Sequence, residues 1–243
     1  QPKMMTRVFL IVSLTCLSLI DLSHAIADAT APPPPIYGLA MVANSPVSGA
    51  LAQLNAATGA ADVVGPPHSE MPAMGDLIAT AHGALYYLGD TSAGAVLVAL
   101  NLSTGAEICS AQVDVAEIQF VGIGQSLDYD SKTDTLVLSG LTKNLNGSHV
   151  VYRAPAFGCG PFDRVGNFGV GDYAPMVHAS TLDSEGQRLF VILAPTETTS
   201  AIGVIDLAHP ENPATVIAEG TTPDYHDTLL CLHYDSKKDR LPG

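Results

Sequence analysis

The sequence contains no tryptophan and little charge: 14% of its 243 residues are charged, with 10 Lys and Arg against 24 Asp and Glu. A net charge of −14 excludes nucleic-acid and anionic-membrane partners, since both are held by clustered cations. With so few charges, the surface must lean on Ser, Thr, Asn, Gly and Ala. No apolar run after residue 25 reaches 18 continuous residues, so no later membrane span is expected. No useful length of chain carries apolar residues at helical spacing, which excludes helical repeats. A Gly-x-Ser-x-Gly elbow and the paired His or Cys spacings of zinc sites are missing. Gly122-Ile-Gly124 stands without the rest of a dinucleotide fingerprint.

What is present is 47% apolar residues, with 22 Gly and 17 Pro spread along the chain. That combination fits many short strands joined by turns. The N-terminus reads as a signal peptide over residues 1–25. Lys3 and Arg7 supply a basic start, Val8 to Ile20 is an apolar run of 13 residues, and Ser23-His24-Ala25 offers small residues for cleavage after Ala25, with Ala27 as the alternative. Thr15 before Cys16 argues against lipid attachment. Cleavage leaves 8 basic and 23 acidic residues and three cysteines, Cys109, Cys159 and Cys231. The mature protein is therefore expected to be secreted, as an extracellular glycoprotein if the sequons Asn101-Leu-Ser103 and Asn146-Gly-Ser148 are used. Residues 26–35 form a Pro-rich linker, too stiff and donor-poor for a sheet.

The rest of the chain repeats. Leu51-Ala-Gln-Leu-Asn-Ala-Ala-Thr-Gly-Ala60 matches Leu97-Val-Ala-Leu-Asn-Leu-Ser-Thr-Gly-Ala106, each a strand closed by a Thr-Gly turn. Independently, Leu127-Asp-Tyr-Asp-Ser-Lys-Thr-Asp-Thr-Leu136 matches Leu232-His-Tyr-Asp-Ser-Lys-Lys-Asp-Arg-Leu241. Thr181-Leu-Asp-Ser-Glu-Gly-Gln-Arg-Leu189 and Ala79-Thr-Ala-His-Gly-Ala-Leu85 are further members. Asp130, Asp183 and Asp235 open the turn and are expected to accept from backbone N–H groups ahead of them. The leucines Leu85, Leu136, Leu189 and Leu241 follow at intervals of 51, 53 and 52 residues, and Leu54, Leu100, Tyr152 and Ile205 at 46, 52 and 53. Two landmarks share one period, and each period holds about four strand-like runs.

A four-stranded unit of about 52 residues resembles a β-propeller blade. The Leu-Asn-x-x-Thr-Gly turn is similar to those of quinoprotein-like and YVTN-type propellers, which favour Asp where Asn55 and Asn101 stand. Missing tryptophans argue against WD-repeat blades and quinoprotein docking motifs. The resemblance implies an all-β propeller over residues 36–243. Its expected parts are a half blade at 36–55, blades at about 60–101, 106–153 and 160–206, and a half blade at 214–243. The ring is read as cut short at its C-terminus, with closure of the two halves into four blades as the alternative. Cys109 and Cys159, each shortly after a last strand, are candidates for an inter-blade disulfide, and the sequence alone leaves the connectivity open.

Propellers carry functional groups around the central channel. On that ground the channel candidates are Asp172, Tyr173, Asp224, Tyr225, His226 and Asp227, repeated acids and tyrosines able to hold Ca²⁺ through oxygen ligands or to act as general acid or base. The plainer reading makes them turn and strand residues shared through a common backbone. The seven histidines of the mature chain are scattered and are read as structural or exposed. No metal or other cofactor is assigned, Ca²⁺ being the one considered, and no catalytic residue is assigned. The sequence favours an extracellular binding module for a protein, glycan or small molecule. The alternative is a propeller enzyme, a metal-assisted lactonase or other hydrolase using the channel.

Overall fold

A computed structural model describes residues 35–40, 49–55, 57–68, 71–72, 78–91, 94–113, 125–141, 148–169, 180–196, 199–209 and 212–221. They form four antiparallel sheets in sequence order. The first contains β1 (Ile36–Leu39), β2 (Leu51–Leu54) and β3 (Ala61–Val64). In the second, β4 (Met71–Pro72) and β5 (Ile78–Ala81) both pair with β6 (Ala84–Thr91), followed by β7 (Gly94–Asn101) and β8 (Glu107–Gln112). The third is β9 (Gln125–Asp130), β10 (Thr135–Leu141), β11 (Ser148–Pro155) and β12 (Asp163–Gly169). The fourth is β13 (Ser180–Asp183), β14 (Arg188–Thr196), β15 (Thr199–Asp206) and β16 (Thr215–Thr221). The edge strand β9 lies against both β5 and β13, so the sheets meet along their first strands and stack face to face. This is the blade arrangement of a β-propeller.

The repeated leucines occupy matching places. Leu85, Leu136 and Leu189 are each the second residue of the second strand, fully buried, opposite Thr80, Tyr129 and Leu182. Toward the third strand, Leu85 faces Leu100 and Leu189 faces Ile205, but Leu136 faces Ala154. Tyr152, expected in that place, instead faces Leu138.

The grouping of strands corrects the expected blade boundaries by one strand. β3 pairs with β2, β8 with β7 and β12 with β11, so Ala61–Val64, Glu107–Gln112 and Asp163–Gly169 close one sheet instead of opening the next. The tight turn at Asn101–Ala106 explains why. Asn101 N–H donates to Ala106 O at 2.9 Å and Gly105 N–H to Asn101 O at 2.8 Å, a closure that folds the chain straight back on itself. The crossing between blades is made over longer connections, such as the one from Gln112 to Gln125.

The middle strands are apolar on both faces because each is sandwiched between neighbouring sheets. On β6, Ala84, Tyr86 and Leu88 pack toward the third sheet, while Leu85 and Tyr87 pack toward the first. On β10, Leu136 and Leu138 join that same cluster and Val137 joins the next one, with Leu189 and Val191. Runs such as LYYL and LVL are thus strands buried on both sides. Burial of each such side chain stabilises by about 1.5–3 kcal/mol. The fourth strands carry a bulge at one recurring place: pairing skips Ile108, Val165 and Ile217. A bulge in an exposed edge strand blunts its tendency to pair with another chain.

Candidate functional site

The hairpins between first and second strands meet between neighbouring blades. Each has one non-glycine residue in the left-handed region: His82 (φ 51°), Asp134 (φ 55°) and Gln187 (φ 52°), 52 and 53 residues apart. That conformation costs a residue with a Cβ about 1–2 kcal/mol. Its recurrence at the blade period, on residues whose side chains reach a neighbouring blade, ties the strain to the joints between sheets.

At the joint between the second and third sheets, His82 Nε2 lies 2.5 Å from Asp134 Oδ1. A carboxylate only accepts, so Nε2 carries the proton. Tyr129 donates its hydroxyl to the same oxygen at 2.9 Å, leaving Asp134 Oδ2 without a partner among the described residues. The bonds from His82 and then Tyr129 hold the Asp134 carboxyl below its ordinary pKa. The Tyr129 phenol is pushed above its ordinary pKa, first by its bond to Asp134 and then by burial. The His82 ring stacks on Phe157, centroids 4.2 Å apart and planes 20° from parallel, with Tyr129 edge-on at 5.7 Å. Phe157 is 64% exposed, the largest exposure among the big apolar side chains described. Its bend is pinned at both ends. Tyr86 donates to Ala156 O at 2.7 Å across the joint, and Cys159 is joined to Cys109 of β8, their Cα atoms 5.9 Å apart.

The joint between the third and fourth sheets is polar and closed. Asp130 is fully buried and accepts from Lys132 N (3.1 Å), Thr133 Oγ1 (2.6 Å), Gln187 Nε2 (2.8 Å) and Arg153 Nη2 (3.5 Å). Burial alone would raise its pKa, but the bonds from Thr133, Gln187 and Lys132, with the Arg153 charge, outweigh it and the net shift is downward. Arg153 also donates to Gln187 Oε1 at 2.7 Å, while its buried Nε has no hydrogen-bond partner. Lys132 Nζ reaches Glu185 O at 2.7 Å, and Ser131 N reaches Ser184 Oγ at 3.3 Å. Deeper in the joint, Ser126 bonds Ser139 at 2.8 Å and also Ser180, and both Ser126 and Ser180 lie 3.2 Å from Asp128 Oδ2.

The channel candidates Asp172, Tyr173, Asp224, Tyr225, His226 and Asp227 lie outside the described residues, as do Asn146, Cys231 and Asp235. Asp130 and Asp183 cap their own turns, Asp183 through Gly186 N at 3.0 Å and an ion pair with Arg188 at 2.6 Å. Asn55 and Asn101 share one wiring: each Oδ1 accepts from the backbone N–H groups two and three residues on, at 2.9 and 3.1 Å. Ser103 of the sequon donates its hydroxyl to Asn101 Oδ1 at 2.6 Å. His68 bonds Gly105 O, 37 residues on, at 3.0 Å, and His209 bonds Asp206 within its own turn at 2.8 Å. Among the described residues no three His, Cys, Asp or Glu side chains converge as metal ligands, and no helix is long and apolar enough to cross a membrane. The cluster of His82, Tyr129, Asp134 and Phe157 was not singled out from sequence. The signal for three of its members was available: His82 and Asp134 hold one place in the repeated hairpin, and Tyr129 stands in the Leu-Asp-Tyr-Asp motif.

No family model matches the chain, and no curated protein matches it. Solved structures do. TolB from Acinetobacter baumannii is 15% identical over 70% of this chain and 37% of its own, with a TM-score of 0.45. Sqt1 of Saccharomyces cerevisiae is 16% identical over 79% and 48%, with a TM-score of 0.43. A chain of the mitotic checkpoint complex is 10% identical over 79% and 64%, with a TM-score of 0.46. The chain thus spans between 37% and 64% of the length of these three.

Proposed function

We propose that this protein is an extracellular binding propeller that recognises its ligand at the blade joint built from His82, Asp134, Tyr129 and Phe157. The observation that carries this reading is Phe157, 64% exposed yet stacked on His82 and anchored through Ala156 and Cys159. An aromatic held rigid in solvent loses little entropy on binding and leaves a large apolar face to cover. The adjoining Asp134 Oδ2 supplies a directional polar contact. Secretion is supported by the basic start, apolar run and cleavage motif of residues 1–25, and by a cysteine pair suited to an oxidising compartment.

The test is binding of the exported protein and its Phe157→Ala variant to arrays of glycans and peptides. Some ligand class should be retained by the wild type and lose about tenfold in affinity, about 1.4 kcal/mol, in the variant. Equal retention by both proteins would defeat the assignment.

A further inference from the structure

Resting on that reading, we infer that the joint between the second and third blades accepts an arginine side chain from a cationic partner segment. Three observations converge on a guanidinium. First, one face of Phe157 is covered by the His82 ring, so its 64% exposure leaves the opposite face to solvent. A planar cation laid on an aromatic face gains from the ring's quadrupole, and arginine stacks there better than lysine. Second, Asp134 spends one oxygen on both His82 and Tyr129 and keeps the other, on a side chain 43% exposed. Asp134 lies on the His82 side of the stack, where its anionic charge attracts a cation laid on the open Phe157 face, and no Lys or Arg among the described residues pairs with it. Lys132, only two residues away, is turned to Glu185 O in the other joint. Third, a net charge of −14 draws cationic segments toward the protein and repels acidic ones.

Neighbouring groups fit this assignment. Tyr129 donates to Asp134 and so stabilises the anion that the partner meets. His82 also gives its Nε2 proton to Asp134, placing the carboxylate at the edge of the stacked rings. A neutral sugar would cover Phe157 equally well but would gain nothing from the acidic field. The arginine assignment therefore makes a prediction that a glycan ligand does not.

The experiment uses the full chain and three fluorescent peptides of one sequence, carrying four arginines, four lysines or four citrullines, titrated at about 0.15 M salt. The arginine peptide should bind about two- to fivefold tighter than the lysine peptide, and the neutral citrulline peptide weakest. Phe157→Ala should erase the preference of arginine over lysine, leaving only the shared salt-dependent attraction. Asp134→Asn should weaken both cationic peptides. Asparagine tolerates the left-handed backbone and keeps an oxygen for His82 and Tyr129, so the hairpin survives. Equal binding of arginine and lysine peptides to the wild type, or a preference surviving Phe157→Ala, overturns the inference. If that happens while a neutral array ligand still depends on Phe157, the arginine assignment falls and the binding joint stands. If no probe responds to Phe157→Ala, both fall.

Discussion

The two blade joints on either side of the third sheet are built from the same repeated hairpins and yet solve opposite problems. Between the third and fourth sheets, the left-handed residue is Gln187. It reaches inward to a buried carboxylate, Asp130, and to Arg153, so its amide binds the neighbouring sheet through both its oxygen and its nitrogen. Between the second and third sheets, the equivalent residues are His82 and Asp134. They meet near the surface, leave one oxygen uncommitted and carry an exposed ring. The first joint is cemented by buried polar bonds. The second is held by a covalent bridge and an apolar cluster that includes Tyr86, Leu136 and Ala156. A joint that does not depend on its polar groups for cohesion is free to present them to a ligand.

The sharpest way to break this contrast is Asp130→Ala. Removing a buried carboxylate strands Arg153, Gln187 and Thr133 without their acceptor, and losing one partner of such a set costs about 3–5 kcal/mol. Urea unfolding should show that loss as a lowered midpoint. A cost under about 1 kcal/mol would mean that the buried network does not hold the third and fourth blades together.

Next in size is the bridge. Cys109 and Cys159 close a segment 50 residues apart in sequence and span two blades. Reduction by a small dithiol, or Cys109→Ala with Cys159→Ala, should lower stability by about 2–4 kcal/mol. Loss of the bridge should also loosen the bend that carries Phe157. Faster amide exchange over residues 156–160, with residues 184–187 unchanged, is the expected pattern. Uniform loosening of both joints would erase the distinction between them.

The repeat was legible in the sequence because blades reuse the same solutions in the same places: an Asp that caps the hairpin in the third and fourth sheets, a leucine second in the following strand in the second, third and fourth, an Asn-x-x-Thr-Gly turn in the first and second. Asp130 and Asp183 accept from the backbone as their motif implies, through Lys132 N and Gly186 N. The pairing of Cys109 with Cys159 was among the sequence's options. The phase was not legible, since a period fixes the spacing of strands and not where one sheet ends. Turn length held that information: the short Asn101–Ala106 turn cannot separate its two flanking strands, and this puts β8 with β7. The candidate joint was hidden for a different reason. Phe157 lies in a bend outside the repeated motifs, and only the stacking of blades brings it to His82, 75 positions earlier in the chain.

Acidification should separate the joints more gently. Asp134 and Asp130 both have folded pKa values below their ordinary one. Their stabilising contribution is therefore complete above the unfolded carboxylate value of about 3.9 and is lost as pH falls through the depressed folded values. Stability measured by urea midpoint should be flat near neutrality and fall below about pH 4. Asp134→Asn should shallow that acid limb by lowering the neutral midpoint slightly toward its acid value. An unchanged limb would show that the bonds from His82 and Tyr129 do not favour the Asp134 anion.

The smallest expected effect on stability is Phe157→Ala. Truncating a side chain that is 64% exposed removes little buried area, and surface changes of this kind stay within about 0.5 kcal/mol. The stack on His82 is lost, but Asp134 and Tyr129 still hold the imidazole at 2.5 and 3.4 Å. A melting temperature close to wild type, together with lost binding, would place Phe157 in recognition. A large drop in melting temperature would instead make the ring part of the cement, and the open joint would then differ from the closed one in composition alone.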